Sequence, residues 1–101
     1  MTALRKRAKA LENQFAHQQE LMFKAHARRN AMMGRWAANV IGLNDADTYA
    51  RDLATYQVNE PRRLLEKLQR DLAAAGVLVD DQEITTRLDE LLHKATEELL
   101  A

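Results

Sequence analysis

An all-α fold is what this sequence predicts: a small antiparallel four-helix bundle whose first helix is overlong. Three observations predict it. The 101 residues hold only three Gly and one Pro, in a chain rich in the strong helix formers Ala, Leu, Glu, Lys and Arg. Apolar positions recur at steps of three and four, the period of an amphipathic helix. The breakers fall between such runs, at Gly42, Pro61 and Gly76. The one β-like run, Val77-Leu78-Val79, lies between a helix stop and a helix cap and reads as a packed loop.

The first helix is expected to run from the start of the chain to Ile41, since no Pro or Gly interrupts it before Gly34. At ~100° per residue, Leu4, Ala8, Leu11, Phe15, Met22, Ala25, Met33, Trp36 and Val40 share one side. Phe23, Ala27, Gly34 and Ile41 form a second, narrower stripe, as expected of a helix lying between two neighbours. Gly42 supplies the left-handed stop. Such a helix would be about 55 Å long, whereas a compact domain of this size is roughly 35 Å across. Its N-terminal end must fold back, fray or find a groove elsewhere. Residues 1–18 are accordingly read as a basic, mobile arm, and residues 19–101 as the bundle.

The second helix follows the capping cluster Asn44-Asp45-Ala46-Asp47 and carries Tyr49, Leu53 and Tyr56. Thr48, Thr55 and Val58 leave its ends open. Asn59-Glu60-Pro61 restarts the chain, because Pro at a first helical position loses no hydrogen bond. The third helix aligns Leu64, Leu65, Leu68, Leu72 and Ala75, with Glu66–Arg70 and Lys67–Asp71 as i,i+4 pairs, and Gly76 ends it. The fourth opens on a capping box, Asp80 with Glu83, and aligns Ile84, Leu88, Leu91, Leu92, Ala95 and Leu99.

A net charge of zero conceals a dipole. Residues 1–35 carry eight basic and two acidic side chains, +6, and residues 36–101 seven basic and thirteen acidic, −6. Either the halves neutralise each other within the bundle, or the basic amphipathic leader seeks an acidic partner. The absence of cysteine excludes disulfides and thiolate metal sites. No apolar run approaches the ~18 residues needed to span a bilayer, and the leader Arg5-Lys6-Arg7-Ala8-Lys9 lacks the apolar core of a secretion signal. The expected location is the cytoplasm, with no membrane insertion.

Catalytic chemistry finds little support. His17 and Glu20 stand at i, i+3 with nothing to complete a metal set, and the chain has no Ser. The glycines are isolated, so no phosphate loop exists. The reading is a non-enzyme with no metal site and no required cofactor. Arg28 and Arg29 are candidate nucleotide or anion contacts: Arg29 projects into the apolar stripe, where it must snorkel, meet a buried carboxylate or touch an anionic ligand. Trp36 and Met22, Met32 and Met33 read as core fillers.

One block is distinctive: Phe15-Ala-His, Glu20, Phe23-Lys-Ala-His-Ala-Arg-Arg-Asn30, Gly34-Arg-Trp-Ala-Ala38 and Gly42. It resembles the bacterial family of ATP synthase inhibitor zeta subunits. Tyr49-Ala50, Ala73-Ala-Ala-Gly76, Ile84 and Leu88-Asp-Glu-Leu91 extend the resemblance over nearly the whole chain. It implies a four-helix bundle whose N-terminal arm enters a catalytic interface of the synthase head, formed by α and β subunits near the central stalk, and blocks rotation in the hydrolysing direction. It also implies weak adenine nucleotide binding in some members. Where the family tends to carry an aromatic and acidic residues near its start, this chain has Leu4, Arg5 and Lys6. Where the family has Asp-Glu-Glu after Phe-Ala-His, it has Gln18-Gln19-Glu20.

A helix-in-groove ligand is then expected, with Leu4, Ala8, Leu11 and Phe15 as apolar anchors and Arg5, Arg7 and Lys9 as electrostatic guides. The arm is expected to gain its helix on docking, since an isolated segment of this length is marginally helical. The free chain is expected to be a monomer that binds no nucleic acid. Two alternatives stay open: an arm for an anionic surface, lipid or nucleic acid, and self-association through the overlong stripe.

Overall fold

Four helices account for nearly all of residues 2–56 and 60–101, which the computed structural model describes. They are α1 (Thr2–Ile41), α2 (Ala46–Thr55), α3 (Pro61–Ala74) and α4 (Asp81–Leu100). Val58 and Asn59, read above as the end of the second helix and the approach to the third, lie outside the described residues.

Local signals place the boundaries. Gly42 adopts φ 85°, and the Gly42 and Leu43 N–H groups both donate to the Ala38 carbonyl at 2.9 Å, which satisfies the orphan acceptor at the end of α1. Asp45 is the cap of α2: its carboxylate accepts from the Thr48 N–H at 3.0 Å and the Thr48 hydroxyl at 2.6 Å. Gly76, at φ 75°, closes α3 in a Schellman motif, with Val77 N–H to Leu72 C=O at 2.9 Å and Gly76 N–H to Ala73 C=O at 3.0 Å. Asp80 caps α4 through the Gln82 N–H at 3.3 Å. The expected capping box is only half made, because the Glu83 carboxylate turns towards Arg87, 3.7 Å away. Lys67 and Asp71 pair at 3.1 Å as expected, but Glu66 lies 4.0 Å from Arg62 rather than beside Arg70.

The core joins all four helices: Met33 and Ala37 of α1, Leu53 of α2, Leu64, Leu68 and Leu72 of α3, and Ile84 and Leu88 of α4. Each large aliphatic side chain buried here contributes about 1.5–3 kcal/mol. The α1 segment beyond Ala25 lies between α2 and α4, as its two apolar stripes imply. Close approach to α2 needs Gly34, since a Cβ there would sit 2.8 Å from the Ala50 Cα. Helix α4 runs antiparallel to α1, with Arg28 against Glu98 and Trp36 against Arg87.

The helical stripe reading fails at particular positions. Val40, Met22 and Phe23 are half exposed. The buried arc of α1 is centred between its two stripes, on Arg29, Asn30, Met33, Gly34, Ala37 and Ala38, so residues on the outer edges of those stripes face solvent. In the loop read as packed, Val77 and Val79 do lie against the core, while Leu78 between them is 97% exposed.

The radius of gyration is 17.3 Å and the molecule measures 64 × 23 × 20 Å. A compact chain of this length would have a radius of about 13 Å. The excess is the overhang of α1.

Candidate functional site

Everything on α1 from Thr2 to Glu20 is exposed, and the first buried side chain is Ala25. The overhang carries the predicted anchors: Leu4, Leu11 and Phe15 are 58%, 67% and 63% exposed, and Ala8 lies exposed between them. Steps of four, three and four put these four on one helical face. Arg5, Arg7 and Lys9 are exposed on the same segment, and among the described residues none has a carboxylate within 4.0 Å. Seven of the predicted site residues thus share one solvated helix end, as an amphipathic ligand requires.

This segment is helical in the free chain, which differs from the expectation of helix formation on docking. The reason lies in residues 25–41. Packing holds that half of α1, so the costly nucleus already exists, and the arm only propagates it. Thr2 to Glu20 is rich in Ala, Leu, Lys, Arg, Gln and Glu, which propagate well.

The arm begins where α4 ends. Beside the last turns of α4, a shallow groove opens between Leu21, Met22 and His26 of α1 and Leu92, Thr96 and Leu99 of α4. Its lining is mainly apolar, and the Met22 side chain continues the arm's stripe into it. Partial burial and the nearby Arg29 charge hold the His26 imidazole below its usual range.

Arg28 and Arg29, adjacent in sequence, point to different places. The Arg28 guanidinium donates to Glu98 at 2.8 Å on the surface, tying α1 to α4. Arg29 is 5% exposed, and its Nε and NH2 groups both donate to the Asn30 side-chain oxygen, at 3.1 and 2.9 Å. Asn30 in turn donates to the Tyr56 carbonyl at 3.3 Å. Burial lowers the Arg29 pKa while the Asp89 charge opposes that shift. A neutral amide, with a carboxylate acting at longer range, therefore partners the cation projected into the apolar stripe. Asn30 was missed by sequence reasoning. Its signal was a poor helix former placed mid-helix, in line with Phe23, Gly34 and Ile41.

Trp36 packs against the core and stacks under the Arg87 guanidinium, 4.5 Å from the ring centroid. Tyr49, also unflagged, donates to Asp71 at 2.6 Å and with Lys67 fastens α2 to α3. Burial first, and then the bond to Asp71, push its phenol well above the ordinary range. Among the described residues, no three His, Cys, Asp or Glu side chains gather to hold a metal, and no helix is long and apolar enough to cross a membrane.

The search of curated proteins finds no match to this chain. A family model, described as ATPase inhibitor subunit zeta, matches residues 1–98.

Proposed function

The chain belongs to the ATPase inhibitor subunit zeta family, and from that premise we propose that it is a non-enzymatic regulatory subunit that restrains ATP hydrolysis by the soluble head of ATP synthase, in the cytoplasm. Residues 1–18 are the effector. They enter a groove at a catalytic interface near the central stalk, and the bundle formed by residues 19–101 limits how far they go. The observation that carries this reading is the exposed stripe Leu4–Leu11–Phe15 on a helix that outruns its own bundle. An apolar face of that kind, left uncovered by the chain, is what a helix-in-groove ligand presents.

The action is steric and non-covalent. Leu4, Ala8, Leu11 and Phe15 fill the groove, while Arg5, Arg7 and Lys9 orient the helix against acidic partner surface and speed encounter. Because the arm is already helical, docking avoids part of the ordering entropy a disordered segment would lose. Arg28 and Arg29 are the candidate contacts for a weakly held adenine nucleotide; of the two, Arg28 presents its charge to solvent.

The test is ATP hydrolysis by the purified synthase head from the same source, titrated with the whole chain and with residues 19–101. Since every side chain from Thr2 to Glu20 is exposed, removing residues 1–18 should leave the bundle's melting intact, with only the arm's helical signal lost from the circular dichroism, while abolishing inhibition. Equal inhibition by both would place the effector in the bundle. A second reading has its own observation: the arm carries four basic side chains and one acidic, which suits an anionic lipid or nucleic acid. Vesicle and DNA titrations over a salt series separate the two, because binding of that kind collapses steeply with salt.

A further inference from the structure

We propose that the arm has a second docking site: the groove at the arm's own base, on another copy of this chain, so that two molecules exchange arms reciprocally. Three observations converge. First, the positions Leu4, Ala8, Leu11, Phe15, Gln18, Met22 and Ala25 follow one another at alternating steps of four and three, the seam of a coiled coil. Helix α4 covers this seam only at its Ala25 end. Second, an antiparallel partner centred on Phe15 places Leu4 opposite Ala25 and His26, and Ala8 opposite Met22. The tip of the visiting arm thereby enters the groove between α1 and Leu92, Thr96 and Leu99 of α4. There it continues the seam that α4 already occupies. Third, the charges match. The arm carries Arg5, Lys6, Arg7 and Lys9 against Glu12, a net of +3, while the groove end of α4, residues 90–100, carries Glu90, Glu97 and Glu98 against Lys94, a net of −2, with Glu98 already paired to Arg28.

The two-fold arrangement is isologous: each arm fills the other's groove, and no open edge is left to propagate a fibre. It buries the same Leu4, Leu11 and Phe15 face that the regulatory reading assigns to the synthase head, so a paired molecule cannot dock. Pairing would therefore store the chain in a silent form at high concentration and release active monomer on dilution.

Sedimentation equilibrium on the full chain, from about 10 µM to about 1 mM, tests it. The weight-average mass should climb from 11.5 kDa towards twice that value. Leu11→Asp should restore the monomer mass at every concentration. Leu11 lies outside the core, so an unchanged circular dichroism spectrum will show that the fold survives. Chains carrying Leu4→Cys, mixed with chains carrying Thr96→Cys, should join through a short bismaleimide, since the register brings residue 4 of the visiting arm into the groove that Thr96 lines. A monomer mass throughout would overturn the proposal, whether the arm stays free or folds back on its own chain. So would pairing that Leu11→Asp leaves intact, or Leu4→Cys chains that crosslink to one another in preference to Thr96→Cys chains. Because mass reads pairing without the synthase, failure here leaves the regulatory reading standing, and loss of inhibition leaves this one standing.

Discussion

Gly34→Ala should destabilise the bundle even though alanine is the better helix former. The added Cβ would lie 2.8 Å from the Ala50 Cα and 3.0 Å from the Leu53 Cδ1. Ordinary contact begins near 3.4 Å, so α2 must retreat by about 0.6 Å, and the nearest obstacle is backbone rather than a side chain that can turn away. Ala50 and Leu53 are 2% and 0% exposed, so that retreat loosens the core on its α2 side. Overpacking of this kind costs about 1–3 kcal/mol, against a helix-propensity gain of up to about 1 kcal/mol. A net loss of about 1 kcal/mol remains at the middle of these ranges. Urea unfolding followed by circular dichroism should show a lower midpoint with an unchanged slope. Gly42→Ala is the control: nothing lies within 4 Å of its Cβ, but its φ is 85°. Its loss is purely conformational, about 1–2 kcal/mol, and repacking neighbours cannot relieve it. If Gly34→Ala is as stable as the parent or more so, α2 is not held against α1 at Ala50, and the explanation of this glycine is wrong. Inhibition per folded molecule should not change, since the arm is remote from Gly34.

Other perturbations reach other links. Asn30→Leu strands the Arg29 guanidinium, whose Nε and NH2 both rely on that amide; a loss of about 3 kcal/mol in denaturant titration is expected for a buried cation left unpaired. The folded His26 pKa is depressed below 6.5, so the unfolded chain takes up the proton first; the associated stability is complete above pH 6.5 and falls away below it, and His26→Gln should flatten the thermal-melt profile over that window. Tyr49 is raised above its usual 10.0, which reverses the sign: the unfolded phenol ionises first, stability falls as pH rises through 10, and Tyr49→Phe should remove that slope while weakening the α2–α3 contact. Phe15→Ala should weaken docking on the synthase head by roughly 1–3 kcal/mol, the range for truncating a buried aromatic anchor; an unchanged inhibition constant would remove Phe15 from the anchors.

What the sequence made legible was local. Gly42, Gly76, Pro61, Asp45 and Asp80 each act through backbone groups within a turn of themselves, so spacing alone located the helix ends. The overhang was legible too, because it follows from comparing a helix length with a domain diameter. The contacts between helices were not. Nothing near Gly34 says that Ala50 will sit against it, and nothing near Asn30 names Tyr56. Arg29 shows the limit most clearly. Its projection onto the buried face was sound, but its partner came from the next residue, whose side chain had been given no role. Val40 failed for a related reason: a projection at fixed angle finds apolar stripes, but the direction from which α2 and α4 approach decides which edge of a stripe is covered.

One uninterrupted helix serves two environments, and the end of α4 divides them. Upstream of Leu21, α1 meets water; downstream of Ala25, it meets α2 and α4. That division lets the two halves obey different rules. The packed half tolerates poor helix formers such as Asn30 and Gly34 because contacts hold it. The arm has no such support and is built from residues that extend a helix cheaply once begun. At 1.5 Å per residue, its 18 residues reach about 27 Å. A bundle about 23 by 20 Å across follows behind, too wide to enter a groove fitted to a single helix about 10–12 Å in diameter. In the proposed docking, reach and stop are therefore set by where α4 ends along α1. Lengthening the arm by whole turns ahead of Leu21 should deepen its entry without disturbing the core, whereas an insertion of two residues there should rotate Leu4, Leu11 and Phe15 off the anchoring face and abolish inhibition. If inhibition of the purified head tolerated the two-residue insertion, the apolar face would not be the docking surface.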